Sequence, residues 1–325
     1  MQAVVVSEHG GPETLRLEEV PDPEAGPDDV VVELRAAALN RRDTYVRAGR
    51  LGFPPGVIPG SDGAGVVRGT GQEVVIYPLL YWGDREDAPA AGYEILGGPT
   101  NGTYAELVRV PRANVLPKPA RLSWTEAAAL PLAGLTAYRA LFSRGRLRGG
   151  ETVLVQGAGS GVSTMAIQLA VHEGARVLVT SSSDEKLARA VELGAAGGAR
   201  YTDEGWTDEI RELAGGDGVD LALDSAGTWA DSLRTLRVGG RLVVFGATVA
   251  LEASLGVRPF YFGQYSILGT TMGSPSDMAG LLRVVNHGSW HPEIDSVRPL
   301  AEAAAAHRRI EAGEQCGKLV LEIAA

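Results

Sequence analysis

The sequence predicts an α/β protein with two domains, one a doubly wound parallel sheet and the other mostly β. Three features support this fold class. A glycine-rich turn follows a short apolar strand pattern near the middle of the chain, strand and helix patterns alternate after it, and short β patterns precede it. The length of 325 residues suits two ordinary domains. We place the mostly β domain at 1–118 plus 273–325, and the doubly wound domain at 119–272.

The first 118 residues contain short apolar runs separated by proline, glycine and aspartate, which is typical of a small barrel or sandwich. A loop at 81–102, rich in glycine, proline and acids, interrupts this pattern, and we expect it to be exposed and mobile. The predicted strands are Ala3–Val6, Val30–Leu34, Ala64–Val67, Glu73–Ile76 and Tyr104–Val110.

After residue 119 the sequence predicts a helix over Ser123–Ala140, with Ser123 as N-cap and Glu126 as its capping-box partner. The following alternation predicts a parallel sheet. Its strands are Val153–Gln156, Arg176–Thr180, Val219–Asp224, Arg241–Phe245 and Ser266–Gly269. Its helices are Val162–His172, Ser183–Gly194, Thr207–Ala214 and Trp229–Val238.

Beyond Gly273 the patterns predict helices at Asp277–Asn286 and Ala301–Ala312 and a last strand at Lys318–Ile323. We expect this tail to return and complete the first domain. The strand at Ser266–Gly269 suits edge-to-edge pairing between subunits, so we expect a homodimer.

The turn Gln156–Ser163 reads Gln-Gly-Ala-Gly-Ser-Gly-Val-Ser between a predicted strand and a predicted helix. Glycine lets the backbone approach a pyrophosphate, and a helix N-terminus offers free N–H groups to its charge. The spacing departs from G-x-G-x-x-G, because a serine stands where a third glycine is usual. The predicted cofactor contacts of this turn are Gly159, Ser160, Gly161, Val162 and Ser163.

The end of the second strand favours NADPH over NADH. NAD-binding domains usually carry an acid about 20 residues after the glycine loop, but here the strand ends in Ser181 and Ser182, with Lys186 in the next helix. Hydroxyl groups and a lysine are suitable ligands for a 2′-phosphate. Alternatively Ser183 only caps a helix and the lysine is solvated, and Asp184 could still reach a ribose, so NAD stays possible.

Composition excludes several classes of function. The formal net charge is −10, which argues against nucleic-acid partners and against binding to acidic membranes. A single cysteine, Cys316, leaves no intrachain disulfide and suits a reducing compartment. The N-terminus has no signal-peptide pattern. We therefore expect a cytoplasmic protein with a small-molecule substrate.

Taken together, these segments resemble the medium-chain dehydrogenase/reductase superfamily along essentially the whole chain. Ala38–Gly49, Leu132–Tyr138 and Gly317–Leu321 are similar to the zinc-free quinone oxidoreductase branch. The resemblance implies a Rossmann domain that binds the dinucleotide and a GroES-like barrel as catalytic domain.

Zinc alcohol dehydrogenases of this superfamily carry a cysteine, a Gly-His-Glu and a second cysteine as their catalytic zinc motifs. At the matching positions this chain has Asn40, Gly60-Ser61-Asp62 and Leu132. A catalytic zinc needs three N, S or O ligands, which these residues do not supply. The loop that would match the structural zinc site, Trp82–Gly102, contains no cysteine. We expect no zinc.

The resemblance places Asn40, Asp43 and Tyr45 beside the nicotinamide. Asn40 is expected to donate to the substrate carbonyl or the cofactor amide, Tyr45 to donate its phenol, and Asp43 to orient its neighbours. The structural alternatives are that Asn40 closes a turn, Asp43 caps a short helix and Tyr45 lies in the core.

Further cofactor contacts are expected from both the resemblance and the strand ends. Thr136 matches a position near the nicotinamide ribose or amide, although it could instead bond within its own helix. Tyr201 is expected at the adenosine end. The carboxyl ends of parallel strands hold ligands in such folds, which adds Ser225, Phe245, Gly246 and Met272.

The leading hypothesis is a zinc-independent oxidoreductase that transfers a hydride from NADPH to a quinone or an α,β-unsaturated carbonyl. Two alternatives stay open: a zinc-type alcohol dehydrogenase with atypical ligands, and a non-catalytic, crystallin-like protein that binds NADPH. The sequence does not name the substrate.

Overall fold

The computed structural model describes residues 1–288 and 291–324, which form two compact units, Met1–Ala133 with Ser274–Ala325 (unit 1) and Gly134–Gly273 (unit 2). The strands are β1 (Gln2–Val6), β2 (Leu15–Glu19), β3 (Asp29–Ala38), β4 (Asp62–Val67), β5 (Glu73–Ile76), β6 (Leu79–Leu80), β7 (Glu94–Ile95), β8 (Leu107–Pro111), β9 (Val115–Pro117), β10 (Thr152–Val155), β11 (Arg176–Ser181), β12 (Gly197–Arg200), β13 (Val219–Asp224), β14 (Leu236–Val244), β15 (Ser266–Gly269), β16 (Ile294–Pro299) and β17 (Lys318–Glu322).

The α-helices are α1 (Arg41–Arg47), α2 (Trp124–Ala129), α3 (Pro131–Tyr138), α4 (Gly161–His172), α5 (Asp184–Glu192), α6 (Trp206–Leu213), α7 (Trp229–Thr235), α8 (Val257–Phe262), α9 (Pro275–His287) and α10 (Ala303–Ala312). A π-helical stretch, Arg139–Arg144, follows α3. Within the described ranges, none of these helices combines the length and the apolar character needed to cross a membrane.

Unit 1 is built on a seven-stranded sheet with the order β16-β17-β3-β4-β5-β9, in which β8 also pairs with β3. All of its pairs are antiparallel except β16–β17. Buried side chains such as Val32, Leu34, Tyr104 and Leu321 form one core. Since β17 pairs with β3, the predicted return of the tail into the mostly β domain is confirmed.

Unit 2 is built on a six-stranded parallel sheet with the order β12-β11-β10-β13-β14-β15. Leu154, Leu178, Ala222 and Leu242 pack in its core. β10 pairs with β11 on one side and with β13 on the other, so the strand order reverses there. In open α/β sheets, ligands bind beyond the carboxyl ends of strands at such a point. The predicted doubly wound sheet is confirmed.

The helix expected over Ser123–Ala140 is interrupted. α2 ends at Ala129, and α3 begins at Pro131, which cannot donate a backbone hydrogen bond to continue the first helix. The predicted capping box is present: Ser123 Oγ accepts from the Glu126 N–H at 3.3 Å, and Glu126 Oε2 accepts from the Ser123 N–H at 2.7 Å.

The division between the units falls after Ala133 rather than after Lys118, where the sequence placed it. The physical reason is that α2 packs on β3, β4 and β17 of unit 1. The second division falls after Gly273, one residue later than expected.

The loop at 81–102 is not exposed throughout, contrary to our expectation. The side chains of Trp82 and Leu96 are buried, since their apolar surface is removed from water. Trp82 Nε1 donates to the carbonyl of Arg85 at 2.7 Å, and Glu86 Oε1 accepts from Ser276 Oγ at 2.7 Å. The loop thus contacts the start of α9.

Candidate functional site

The candidate site of unit 1 lies where three neighbouring strands begin or end. β3 ends at Ala38, which pairs with Asp62 at the start of β4 and with Val320 of β17. Because both neighbours are antiparallel to β3, the residue after Leu39 is brought to the first residues of β4 and β17. That arrangement places Asn40 beside Asp62 and Lys318.

These three side chains form a buried polar cluster. Asn40 Nδ2 donates to Asp62 Oδ2 at 2.9 Å, and Lys318 Nζ donates to Asn40 Oδ1 at 2.8 Å and to Asp62 Oδ2 at 2.9 Å. The other carboxylate oxygen of Asp62 accepts from the Leu132 N–H at 2.7 Å. The exposed fractions are 7% for Asn40, 0% for Asp62 and 3% for Lys318, so the cluster is held by desolvated, charge-assisted hydrogen bonds.

The Gly60-Ser61-Asp62 segment is held by close packing. Gly60 has φ +97°, and a Cβ there would lie 2.4 Å from a ring carbon of Tyr104. Only glycine fits this position without displacing the ring. Ser61 Oγ donates to the carbonyl of Leu96 at 2.7 Å, so the hydroxyl is already engaged.

Asp43 lies in the first turn of α1 and is fully buried. Its Oδ2 accepts from the Asn40 N–H at 2.8 Å and from the Tyr104 hydroxyl at 3.0 Å, while its Oδ1 has no hydrogen-bond partner among the described residues. Burial raises the pKa of Asp43 to about 6, although the Asn40 N–H, Arg42, Tyr104 and Lys318 all act to lower it. The helix-capping alternative for Asp43 is therefore present, together with a perturbed carboxyl group.

A line of buried groups runs from Asp43 to the surface. Tyr104 Oη lies 3.4 Å from His307 Nε2, and His307 Nδ1 lies 3.3 Å from Arg47 Nη1. Burial and then Asp43 raise the pKa of Tyr104 well above its usual range, whereas burial and then Arg47 lower the pKa of His307 to about 3. The phenol and the imidazole are therefore both neutral.

The direction of these hydrogen bonds follows from the donors. Arg47 can only donate, so His307 Nδ1 accepts and its Nε2–H faces Tyr104, which in turn donates to Asp43. Arg47 also donates to Glu311 Oε2 at 3.1 Å. Because a guanidinium keeps its protons, the line orients Asp43 and does not conduct protons from the surface.

Tyr45 lies on α1 and is half-buried, so it is not a core residue. The guanidinium carbon of Arg50 lies 5.7 Å from the centre of its ring. A partly exposed phenol is able to meet a ligand, and its proposed role as a donor stays a prediction.

The donor set does not fit a catalytic zinc ion. At the three matching positions Leu132 has no ligand atom, Ser61 Oγ donates to a carbonyl, and Asn40 Oδ1 accepts from the Lys318 ammonium. Zinc prefers cysteine, histidine or carboxylate ligands and leaves no room for an ammonium between them. Among the described residues no group of three or more histidine, cysteine or acidic side chains could hold a metal ion.

In unit 2 the glycine-rich turn links β10 to α4. Gly157 and Gly159 have φ values of +70° and +105°, and a Cβ on Gly159 would lie 2.7 Å from Cδ of Lys186. The first N–H groups of α4, those of Gly161 and Val162, have no carbonyl partner within the helix. The turn therefore fits a pyrophosphate by its backbone conformation and by its free donors.

Two residues of this turn that were predicted to contact the cofactor, Ser160 and Ser163, make side-chain hydrogen bonds within the turn. Ser160 Oγ accepts from the Ser163 N–H at 3.0 Å, and Ser163 Oγ donates to the carbonyl of Gln156 at 3.1 Å. The serine in place of a third glycine thus ties the helix start to the end of β10.

The predicted adenosine-side residues meet at the ends of β11 and β12. Ser181 is buried and its hydroxyl accepts from the Ser183 N–H at 3.2 Å, while Ser182 is exposed and Lys186 is half-buried. Ser183 Oγ caps α5 by accepting from the Lys186 N–H at 3.4 Å, so its helix-capping alternative is present. Tyr201 is 47% exposed, and its N–H donates to the carbonyl of Ser181 at 3.1 Å.

Sequence reasoning missed Arg200 at this edge. It pairs in register with Ser181, and its Nη1 donates to Asp184 Oδ2 at 3.2 Å. The acid that could have reached a ribose is therefore in an ion pair. In the sequence, Arg200 stands directly before Tyr201. Its place beside Ser181 depends on the pairing of β12 with β11, which the sequence analysis did not predict.

The remaining predicted residues lie at strand ends or in a helix. Gly246 packs on Ser225, since a Cβ on Gly246 would lie 2.7 Å from the carbonyl oxygen of Ser225. Asp224 shapes that turn, because its Oδ1 accepts from the Ala226 and Gly227 N–H groups at 2.7 and 2.9 Å. The other three placements are Phe245 directly after β14, Thr136 buried in α3, and Met272 buried after β15 with φ +34°.

Comparison with known proteins places the chain among dehydrogenases. Residues 26–120 match the family "Alcohol dehydrogenase GroES-like domain", and residues 161–287 match the family "Zinc-binding dehydrogenase". The second match does not include Asn40, Ser61 or Leu132, which stand at the zinc-ligand positions.

Full-length relatives give the same placement. The chain is 32% identical to a quinone oxidoreductase of Rattus norvegicus, covering 99% of this chain and 97% of the relative. A crystal structure of an NAD-dependent alcohol dehydrogenase is 42% identical with a TM-score of 0.94, covering both chains completely. A crotonyl-CoA carboxylase/reductase, AntE, in complex with NADP is 25% identical with a TM-score of 0.90, covering 99% of this chain and 94% of that one.

Proposed function

Because the chain belongs to the medium-chain dehydrogenase/reductase superfamily, with quinone oxidoreductases among its relatives, we propose that it transfers a hydride from NADPH to a quinone or an α,β-unsaturated carbonyl without zinc. The main support for this proposal is that the residues at the three zinc-ligand positions are not zinc ligands. The Asn40 amide oxygen accepts from an ammonium, the Ser61 hydroxyl donates to a carbonyl, and Leu132 has no ligand atom in its side chain.

The missing Lewis acid selects the class of acceptor. Reduction of an isolated ketone places the full developing charge on one oxygen, which a metal ion usually stabilises. In a quinone or an enone the charge delocalises into a conjugated system, so hydrogen-bond donors are sufficient, at about 1–3 kcal/mol each. Bound NADPH supplies the hydride.

The chain's own residues supply donation and orientation. Asn40 Nδ2 uses one hydrogen on Asp62, and its second hydrogen, which none of the described residues accepts, donates to the acceptor carbonyl or the cofactor amide. The half-buried phenol of Tyr45 is a second donor. Asp43 holds the backbone of Asn40 through its N–H and so fixes the start of α1.

For the cofactor we propose NADPH. Ser182 follows β11, Lys186 lies in the first turn of α5, and Asp184 is engaged by Arg200 at the end of β12. A hydroxyl group and a lysine, beside an acid that is already paired, suit a 2′-phosphate. AntE, a relative with the same fold, is in complex with NADP, whereas the 42% identical relative is described as NAD-dependent.

We also propose that the active form is a cytoplasmic homodimer with a small-molecule substrate and no nucleic-acid or membrane partner. β15 is an edge strand of its sheet. Apolar side chains in the segment that precedes it in the chain are exposed, at 77% for Val257, 61% for Phe262 and 90% for Leu251. An exposed edge next to apolar surface favours pairing with a second copy. The negative net charge supports the proposal that nucleic acids and acidic membranes are not partners. The single cysteine supports a location in the reducing cytoplasm.

The test is a spectrophotometric assay of NADPH and NADH oxidation with 1,4-benzoquinone, an enone and a saturated ketone, with and without 1,10-phenanthroline. We expect oxidation of NADPH with the first two acceptors, unaffected by the chelator. Loss of activity in the chelator with recovery on zinc addition would instead establish a zinc-type alcohol dehydrogenase with atypical ligands. Tight NADPH binding with no turnover would establish a non-catalytic binding protein.

A further inference from the structure

Lys318 has every donor engaged inside unit 1. Its ammonium donates to the carbonyl of Leu39 at 2.7 Å, to Asn40 Oδ1 at 2.8 Å and to Asp62 Oδ2 at 2.9 Å. An ammonium carries three hydrogens, so none is left for a substrate. With 3% exposure, the residue acts on its neighbours and does not contact a ligand.

The neighbours of Asn40 allow one orientation of its amide. Oδ1 accepts from the ammonium of Lys318, and Nδ2 donates to the carboxylate of Asp62. Rotating the amide by half a turn would place N–H hydrogens against the ammonium and the amide oxygen against the carboxylate. Both contacts would then be repulsive, in a site where water does not screen them.

We propose that Lys318 is a positioning residue for hydride transfer: it locks the Asn40 amide so that its second Nδ2 hydrogen is always presented as a donor. The proposal rests on the proposed function, in which Asn40 donates to the reacting carbonyl. It assigns a role to a lysine 278 residues away from the asparagine in sequence.

The experiment compares Lys318→Met, the charge-balanced pair Lys318→Met with Asp62→Asn, and Lys118→Met as matched control. Lys118 is also a mostly buried lysine of unit 1 that donates to a carbonyl, that of Leu122, at 2.8 Å. The readouts are Tm, and kcat and KM for NADPH with 1,4-benzoquinone. The pair is included because Lys318→Met alone leaves the buried charge of Asp62 without its cation.

We expect Asn40→Ala, which removes the donor, to lower kcat about 100-fold. An amide that is free to turn still presents its hydrogen part of the time, so we expect a smaller fall of about 2- to 10-fold in both Lys318 variants, with KM for NADPH unchanged and with wild-type kcat in the Lys118 control. Adding Asn40→Ala to either Lys318 variant is expected to give the kcat of Asn40→Ala alone, since Lys318 acts only through Asn40. If the charge-balanced pair recovers Tm and kcat together, Lys318 has only a structural role and the proposal is overturned.

A second readout does not depend on turnover. The chain has four asparagines, so selective 15N labelling gives four side-chain amide signals, and the signal that Asn40→Ser removes belongs to Asn40. We expect the order parameter of the Asn40 side-chain N–H bonds in wild type to be near that of rigid backbone, about 0.85. A value below about 0.6 in wild type would mean that the amide turns freely and overturns the proposal, even if no variant folds. Absence of turnover with every acceptor, beside a locked amide, overturns the proposed function and leaves the positioning intact.

Discussion

Asp43 and His307 both contact the hydroxyl group of Tyr104. Burial raises the pKa of Asp43 and lowers the pKa of His307. The pKa of Asp43 is raised to about 6 from 3.8, so the folded state binds its proton more tightly than the unfolded state does. The pKa of His307 is lowered to about 3 from 6.5, so the unfolded state binds that proton more tightly. Acidification therefore favours the fold through Asp43 and opposes it through His307.

We predict that His307→Gln removes a loss of stability between pH 7 and pH 5. Over this range the unfolded histidine becomes protonated while the folded one stays neutral, which costs about 2 kcal/mol of unfolding free energy. Glutamine is able to accept from Arg47 and donate to Tyr104 in the same place. Urea unfolding at both pH values measures the difference.

Asp43→Asn serves as the opposite case in the same measurement. Wild type gains about 1 kcal/mol through Asp43 between pH 7 and pH 5, because the folded carboxyl takes up a proton near pH 6. The variant should therefore lose stability more steeply than wild type. Parallel pH dependence in all three proteins would contradict both assignments.

We predict that Lys186→Met discriminates between the two nicotinamide cofactors. Loss of a cation at a phosphate site should lower kcat/KM for NADPH by about 10- to 100-fold and leave NADH little changed. Arg189→Met, on the same helix but paired with Glu192, is the control. Equal losses with both cofactors would place Lys186 at the shared pyrophosphate and not at a 2′-phosphate.

The sequence identified some site residues but not their partners. Asn40 and Asp43 were found through a resemblance, because both stand in one short matching segment. Asp62 was seen only as a lost metal ligand, and Lys318 only as part of a similar ending. Their hydrogen bonds join residues 22 and 278 positions apart in the chain, and no local pattern encodes such distances. The sequence analysis did not identify Tyr104 and His307 as site residues either, because they too are far apart in the chain.

At the scale of elements, strongly apolar strands were predicted well and weak ones were missed. β5, β13 and β15 have the predicted bounds. β12 reads Gly-Gly-Ala-Arg, which has little β propensity, and it forms because β11 offers it a parallel partner. The pattern predicts α7 to continue to Val238, but Leu236 to Val238 already belong to β14, since pairing with β13 outweighs helix propensity there.

We predict that Ser274→Ala destabilises the start of α9 and the neighbouring loop together. Ser274 Oγ accepts from the Asp277 N–H at 3.2 Å, and the same hydroxyl contacts Glu86 of the loop at 81–102. Loss of an N-cap costs about 1 kcal/mol. Limited proteolysis should show faster cleavage within 81–102. Ser276→Ala, which removes only a contact to Glu86 Oε1, is the control and should cleave at nearly the wild-type rate.

At the scale of the molecule, several exposed apolar side chains stand in the segment that precedes the edge strand β15 of unit 2. Val249, Leu251, Val257 and Phe262 are each more than 60% exposed, and α8 has no buried residue. Sequence analysis predicted an edge strand at Ser266–Gly269 but not this surface, because exposure depends on what the fold leaves uncovered.

We predict that Val257→Asp combined with Phe262→Asp converts a dimer to a monomer. Two buried carboxylates in an apolar interface cost several kcal/mol, enough to shift a micromolar dimer to monomer. Sedimentation velocity measures the change. Val191→Asp is the control, since Val191 is 52% exposed on α5, which follows β11 near the other edge of the sheet. A wild type that sediments as a monomer would contradict the proposal.

The pairing of β17 with β3 also bears on how the protein is made. Unit 1 takes its sheet from both ends of the chain, and Lys318 enters the polar cluster from the last strand. On the ribosome, residues up to 273 emerge before that strand exists, so unit 2 has its complete sheet while unit 1 still lacks part of its own. Asn40 and Asp62 therefore meet the ammonium of Lys318 only after all of unit 2 has been synthesised.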